Sequence, residues 1–129
     1  MSYTRFNRRG VKQTLDGAAK NVLTDLAQIA ATSIARDAPR DSLFLAETVE
    51  AIGVDGTGQD GRHEQRQSLK SGQLVTRESR KVPALPPDTA AVHVGAVYAM
   101  DAEIREPFIW PNIEALAASL PGVVTKRRV

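Results

Sequence analysis

From Val11 to Arg36 the residues Val11, Leu15, Ala18, Val22, Leu26, Ile29, Ser33 and Ile34 recur at spacings of three and four, which predicts one apolar face of a helix. This is the clearest element in the chain. Gly17 costs the first third of that helix about 1 kcal/mol relative to alanine, and Pro39 disfavours helical geometry at Ala38, so the helix is predicted to stop near Arg36. Beyond the proline, Asp41 or Ser42 is placed to cap a short helix through Glu47 by accepting a free backbone N–H. Thr48, Val49, Ile52 and Val54 then supply the β-branched residues of a strand.

The stretch from Asp55 to Gln73 is rich in Gly, Asp, Gln, Arg and Ser and nearly lacks apolar anchors, so it reads as a long mobile loop. Leu74 to Val82 is a polar strand candidate, ended by Pro83, Pro86 and Pro87. In Ala90 to Tyr98, Val92, Val94 and Ala96 alternate with Ala91, His93 and Gly95, the period of a strand with one face in the core. Pro111 suits the first turn of a last helix, Glu114 sits near its positive end, and Pro121-Gly122 closes it. Ile113, Leu116, Ala117 and Leu120 give that helix its buried face. This order predicts an α+β fold: a long N-terminal helix and a C-terminal helix packed on a small antiparallel β-sheet, with the long mobile loop outside it.

At 129 residues the chain fits one domain, without room for a second catalytic one. Aromatics are only 5% of it, so the core is built from alanine and aliphatics and gains from subunit contacts. There is no cysteine, which excludes disulfides and thiolate metal sites. Met1 to Gly10 carries positive charge with no apolar run behind it, and no stretch approaches the roughly 18 apolar residues of a membrane span, so a cytoplasmic, unexported protein is expected. The net charge of +2 is uneven: Arg5, Arg8, Arg9 and Lys12 lie in the first twelve residues and Lys126, Arg127 and Arg128 in the last four. Residues 1–10 and 122–129 thus read as basic, flexible termini around a body of ten basic and fifteen acidic residues. That layout argues against a protein that coats DNA with its whole surface.

Candidate chemistry is sparse. Gly56-Thr57-Gly58-Gln59-Asp60-Gly61 matches G-x-G-x-x-G, but Arg62 to Lys70 has no apolar helical face and no βαβ unit follows, so a flexible glycine loop is expected in place of a dinucleotide site. His63 and His93 have no metal-site spacing and read as exposed surface histidines; no serine is tied to a histidine and an acid. No cofactor, metal or catalytic set is expected. The acids Asp101, Glu103 and Glu106 read as a solvated turn. In Pro107-Phe108-Ile109-Trp110-Pro111 the rings are held between prolines, with Phe108 as a core plug and Trp110 as an interface anchor. Arg62, Arg66, Lys70, Arg77, Arg80 and Lys81 form the one internal basic stretch, against Glu64 and Glu78. It lacks the interleaved aromatics of single-strand binders, which leaves contact with phosphates or with an acidic neighbouring subunit.

Three segments in order carry a resemblance. Ala38, Pro39, Asp41, Ser42, Leu45, Thr48 and Val49 follow A-P-x-D-T-G-x-L-x-x-S-I; Tyr98, Ala99 and Glu103 follow Y-A-x-x-x-E-[FY]-G; Pro107, Phe108, Ile109 and Pro111 follow P-F-[LI]-x-P-A. The chain resembles the small neck proteins of long-tailed bacteriophages, the tail-completion or head-tail joining family. It departs at Leu43, which stands where the family has glycine, at Ile104-Arg105 in place of the aromatic-glycine pair, and at Asn112 in place of alanine. The resemblance implies a non-enzymatic virion protein, of a phage or of a phage-derived particle such as a gene transfer agent. Such proteins form a ring, commonly a hexamer, between the head-side stopper or connector and the tail tube, with DNA passing through. Asp41, Phe44, Tyr98, Glu103 and Trp110 are the expected subunit and partner contacts, and the basic loop faces DNA or a neighbour. The other reading is a small cytoplasmic nucleic-acid-binding or regulatory module.

Overall fold

The computed structural model describes residues 8–119, with side chains at Gln13 and from Asp16 onward. The basic residues Arg5, Lys126, Arg127 and Arg128, with Leu120 and the Pro121-Gly122 closure, lie outside the described residues. The elements are α1 (Arg8–Asp37), α2 (Phe44–Glu47), β1 (Val49–Ile52), β2 (His63–Gln67), β3 (Leu74–Glu78), β4 (Ala91–Val94), α3 (Ala99–Arg105) and α4 (Trp110–Ser119). The α+β class is as the sequence predicts.

β1 and β4 pair antiparallel, Val49 opposite Val94 and Ile52 opposite Ala91. β2 and β3 form a second antiparallel ribbon, His63 opposite Glu78 and Gln67 opposite Leu74. A bridge between Ser79 and Ala96 stitches the ribbons together, flanked by Arg80 N–H donating to the Gly95 carbonyl at 2.8 Å and Val97 N–H to the Glu78 carbonyl at 2.9 Å. α1 lies across β1 and β4, and α4 lies against α1. Between them sits the core of Ile34, Ala38, Phe44, Leu45, Ala96, Ala99 and Phe108, with Val49, Val92 and Val94 of the first ribbon packed on it.

The buried line of α1 agrees with the predicted one at Ile34, which is buried, and in part at Leu26 and Ser33, which are half-buried, but departs from it elsewhere. Ala27, Ala30, Ala31 and Ile34 face inward, whereas Val22 and Ile29 are 54% and 55% exposed. At about 100° per residue the two lines lie roughly 140° apart on the helix. Alanines allow α1 to lie close on a narrow ribbon: a Cβ added at Gly53, just after β1, would come within 3.1 Å of Thr24 Cγ2. Val22 and Ile29 fall on the face turned away.

Within the predicted mobile loop, His63–Gln67 forms strand β2, in a hairpin whose inner face is charged. Glu64 and Arg66 on β2, with Val75 and Arg77 on β3, alternate with exposed neighbours. The period of two is present, but polarity hides it from a reading of apolar residues. The acidic segment is likewise the helix α3 and not a turn; of its residues only Ala99 is buried.

Neither Asp41 nor Ser42 caps α2. Leu43 stands at the cap position with φ 63° and ψ −8° and makes no side-chain cap hydrogen bond. A left-handed conformation is costly for a residue with a Cβ and free for glycine. Because Leu43 is 44% exposed and contributes little packing, Leu43→Gly is expected to stabilise the fold by about 1 kcal/mol, read from the midpoint of urea unfolding.

Candidate functional site

Asp41 lies in the linker between α1 and α2 and fastens the hairpin to it. Its Oδ1 accepts the Ser68 hydroxyl at 2.6 Å and the Lys70 backbone N–H at 3.2 Å, and its Oδ2 accepts Arg77 Nη2 at 3.1 Å. Its carbonyl accepts the Leu69 N–H at 2.9 Å. The Ser68 hydroxyl foremost, then the Lys70 amide, and the charge of Arg77 hold the Asp41 carboxyl below the ordinary aspartate value of 3.8. A carboxyl lowered by folding stabilises the fold at neutral pH, and that contribution is lost as pH falls through the lowered folded value. Amide exchange at Lys70 and Gly72 is therefore expected to accelerate as pH falls below 3.8, beyond the intrinsic pH dependence of exchange. Asp41→Asn should show the same loosened turn at neutral pH.

The inner face of the hairpin sets arginines on aromatic rings. Arg77 stacks 4.4 Å from the Tyr98 ring centre, and Arg62 and Arg66 lie 5.2 and 5.6 Å from that of Phe44. Glu64 accepts from Arg62 Nε at 2.6 Å and from Arg66 Nε at 2.8 Å, and Arg66 also pairs with Glu47 at 2.7 Å. The hydrogen bond from Arg66 leads in holding the Glu64 carboxyl below its ordinary value. Burial pushes the Tyr98 phenol above its ordinary value, against the pull of Arg77. The basic stretch thus divides: Arg62, Arg66 and Arg77 turn inward onto carboxylates and rings, while Lys70, Arg80 and Lys81 have exposed side chains, Lys81 lying 3.5 Å from Asp60. Phe44 is fully buried beneath the arginines, which corrects its expected place in an interface. The left-handed turn at Leu43 exposes Leu43 and sends the ring inward.

A cleft of about 350 Å³ opens where the linker, the hairpin and α3 meet. Asp41, Arg77 and Tyr98 form one side, and Asp101, Arg105 and Glu106 form the other. Its charges are mixed and balanced.

Glu103 explains the acidic segment. From α3 its Oε2 accepts the backbone N–H groups of Phe108 and Ile109 at 2.8 and 2.7 Å, and its Oε1 accepts that of Trp110 at 3.0 Å. These are amides that the start of α4 leaves without helical partners, and a carboxylate there also meets the positive end of the helix. Asn112 adds a tie, donating to the Phe108 carbonyl at 2.7 Å and to Asp37 at 3.0 Å. Phe108 is the predicted core plug, at 1% exposure. Trp110 is half-buried in the first turn of α4. No family model, curated protein or solved structure matches the chain.

The other candidates resolve structurally. The glycine segment leads into strand β2, not a helix, and a Cβ at Gly58 would stand 2.6 Å from both Glu50 Oε1 and Val82 Cγ1. His63 is exposed, but His93 is half-buried opposite Glu50, its Nδ1 3.6 Å from Oε1. Among the described residues no three acids or histidines gather to hold a metal, and no helix is long and apolar enough to cross a membrane. Sequence reasoning missed Ser68 and Asn112, and it missed the partner of Asp41; these contacts join positions 27 to 75 residues apart, for which one chain carries no signal.

Proposed function

We propose that the chain is a non-enzymatic ring subunit of the neck of a phage, or of a phage-derived particle such as a gene transfer agent, that completes or terminates the tail and joins it to the head. One observation carries this reading. Glu103, from the segment resembling Y-A-x-x-x-E, clamps the backbone of the segment resembling P-F-[LI]-x-P through three amides. The two motifs are thereby one physical device, and their joint occurrence has a cause. The first segment supports the same reading: Leu43 stands where the family has glycine and adopts the left-handed conformation that favours glycine.

On this proposal the partners are further copies of the chain, the head-side stopper or connector, and the tail tube. Tyr98, Asp41 and Trp110 lie at or near the contacting surface. The exposed Lys70, Arg80 and Lys81 face DNA in the channel or a neighbouring subunit. A nucleic-acid-binding module is less well supported, because Arg62, Arg66 and Arg77 spend their charge on Glu64, Glu47 and Asp41. Disrupting the gene in its host is expected to leave filled heads and free tails, visible by electron microscopy. Fully joined particles lacking the protein would overturn the proposal, and tight binding of duplex DNA with a steep salt dependence would favour the module.

A further inference from the structure

Two apolar stripes on this chain have no cover among the described residues. The first is the outward line of α1. Val22 and Ile29 are more than half exposed, and Val11, Leu15 and Ala18 continue the same spacing in the sequence. Of the described side chains from Gln13 to Val22 only that of Lys20 is even half-buried. The start of α1, about 22 Å of helix up to Val22, therefore forms an arm whose described side chains from Asp16 to Val22 pack little on their own chain, apart from the 3.5 Å ion pairs of Lys20 with Asp55 and Asp88. Such a length, with Gly17 inside it, is marginal as a lone helix in water and calls for a tertiary or quaternary partner.

The second stripe is the outer side of α3 and the turn before it. Val97, Met100 and Ile104 are 46%, 60% and 74% exposed and recur at helical spacing, so they share one face. Asp101 and Glu106 beside them are exposed as well. The arm has the opposite character: Arg8, Arg9 and Lys12 against Asp16 in its first nine residues. Each stripe is apolar along its centre; the α3 side carries the exposed acids Asp101 and Glu106 against one exposed base, Arg105, so the net charges that accompany the two stripes are opposite in sign.

We propose that the α1 arm of one copy docks on the α3 stripe of a neighbouring copy. This deepens the ring-subunit reading and rests on it for the choice of a second copy as occupant. Side-by-side pairing of two arms in parallel would set like charges together, and any arm-to-arm pairing leaves the α3 stripe in water. The arm-to-α3 contact covers both stripes and pairs opposite charges. It joins two different patches, so it is heterologous, and repetition closes a ring when the rotation allows.

The test uses the full chain in size-exclusion chromatography with light scattering over a concentration series. Glutamate favours helix at least as well as valine or isoleucine, so Val22→Glu/Ile29→Glu and Ile104→Glu keep their helices, which circular dichroism checks. The wild type is expected to self-associate, and each variant alone to do so on the order of a hundredfold more weakly, because a carboxylate is forced into an apolar contact. An equimolar mixture of the two variants should give dimers that do not grow, since the intact arm of one meets the intact stripe of the other. Unimpaired association of Ile104→Glu, or a mixture that stays monomeric while the wild type assembles, overturns the docking and leaves the neck reading standing. A wild type monomeric at every concentration also overturns it, and the neck reading is then decided by the particles from the disrupted host.

Discussion

Phe108→Ala is expected to lower the free energy of unfolding by about 3–5 kcal/mol, a large share of the roughly 5–15 kcal/mol that holds a domain together. Phe108 is 1% exposed and packs in the cluster with Ile34, Phe44 and Leu45. Few bulky side chains share that cluster, and its alanines have no further rotamers with which to fill the space a missing ring leaves. The loss therefore combines the transfer term with most of the cavity term. Chemical denaturation should show a lower midpoint at an unchanged slope. Trp110→Ala, at a half-buried position two residues on, should cost clearly less in the same experiment. Equal losses would mean that the tryptophan belongs to the core as much as the phenylalanine does.

Glu103→Ala is expected to cost about 2–3 kcal/mol, through hydrogen bonds to a charged acceptor and a helix cap lost together. Three backbone amides at the entry to α4 lose their acceptor at once, and two of them, those of Phe108 and Ile109, lie within 2.8 Å of a single carboxylate oxygen. Glu103→Gln should be intermediate, since its carbonyl oxygen still accepts while its amide nitrogen presents hydrogens to an N–H. Amide exchange localises the effect: protection should fall at the start of α4 and at Ile113, whose N–H donates to the Ile109 carbonyl at 3.1 Å. A loss spread evenly over the chain would mean that Glu103 acts through general stability and not as a cap.

Legibility varied with the kind of contact. The long helix, the β1 and β4 strands and the start of α4 were readable because their signals are local: a period of 3.6 or 2, a proline, a run of β-branched residues. Of the hairpin, β3 was anticipated as the polar strand candidate from Leu74, whereas β2 was not, because the inner face is arginine stems laid on the rings of Phe44 and Tyr98, with Glu64 and Glu47 neutralising two of the guanidinium groups. A reading that equates burial with apolar residues takes such a segment for a loop. Asp41 was singled out as a cap of the next helix, which it is not; the backbone amide its carboxylate accepts is that of Lys70, 29 residues away. Glu103 was singled out within the acidic trio, and its work was likewise visible only once α3 and α4 met.

The sequence by itself determined the α+β class, the extent of the first helix and the role of Phe108, since each follows from short-range spacing and from how apolar a residue is. Only the tertiary structure decided which face of that helix is inside. Two stripes were present, one of alanines and one of larger aliphatics, and local periodicity favours the larger. A narrow two-stranded ribbon accepts the smaller one, because close approach needs small side chains, and of the stripe that periodicity picked out Val22 and Ile29 face solvent while Ile34 joins the buried line.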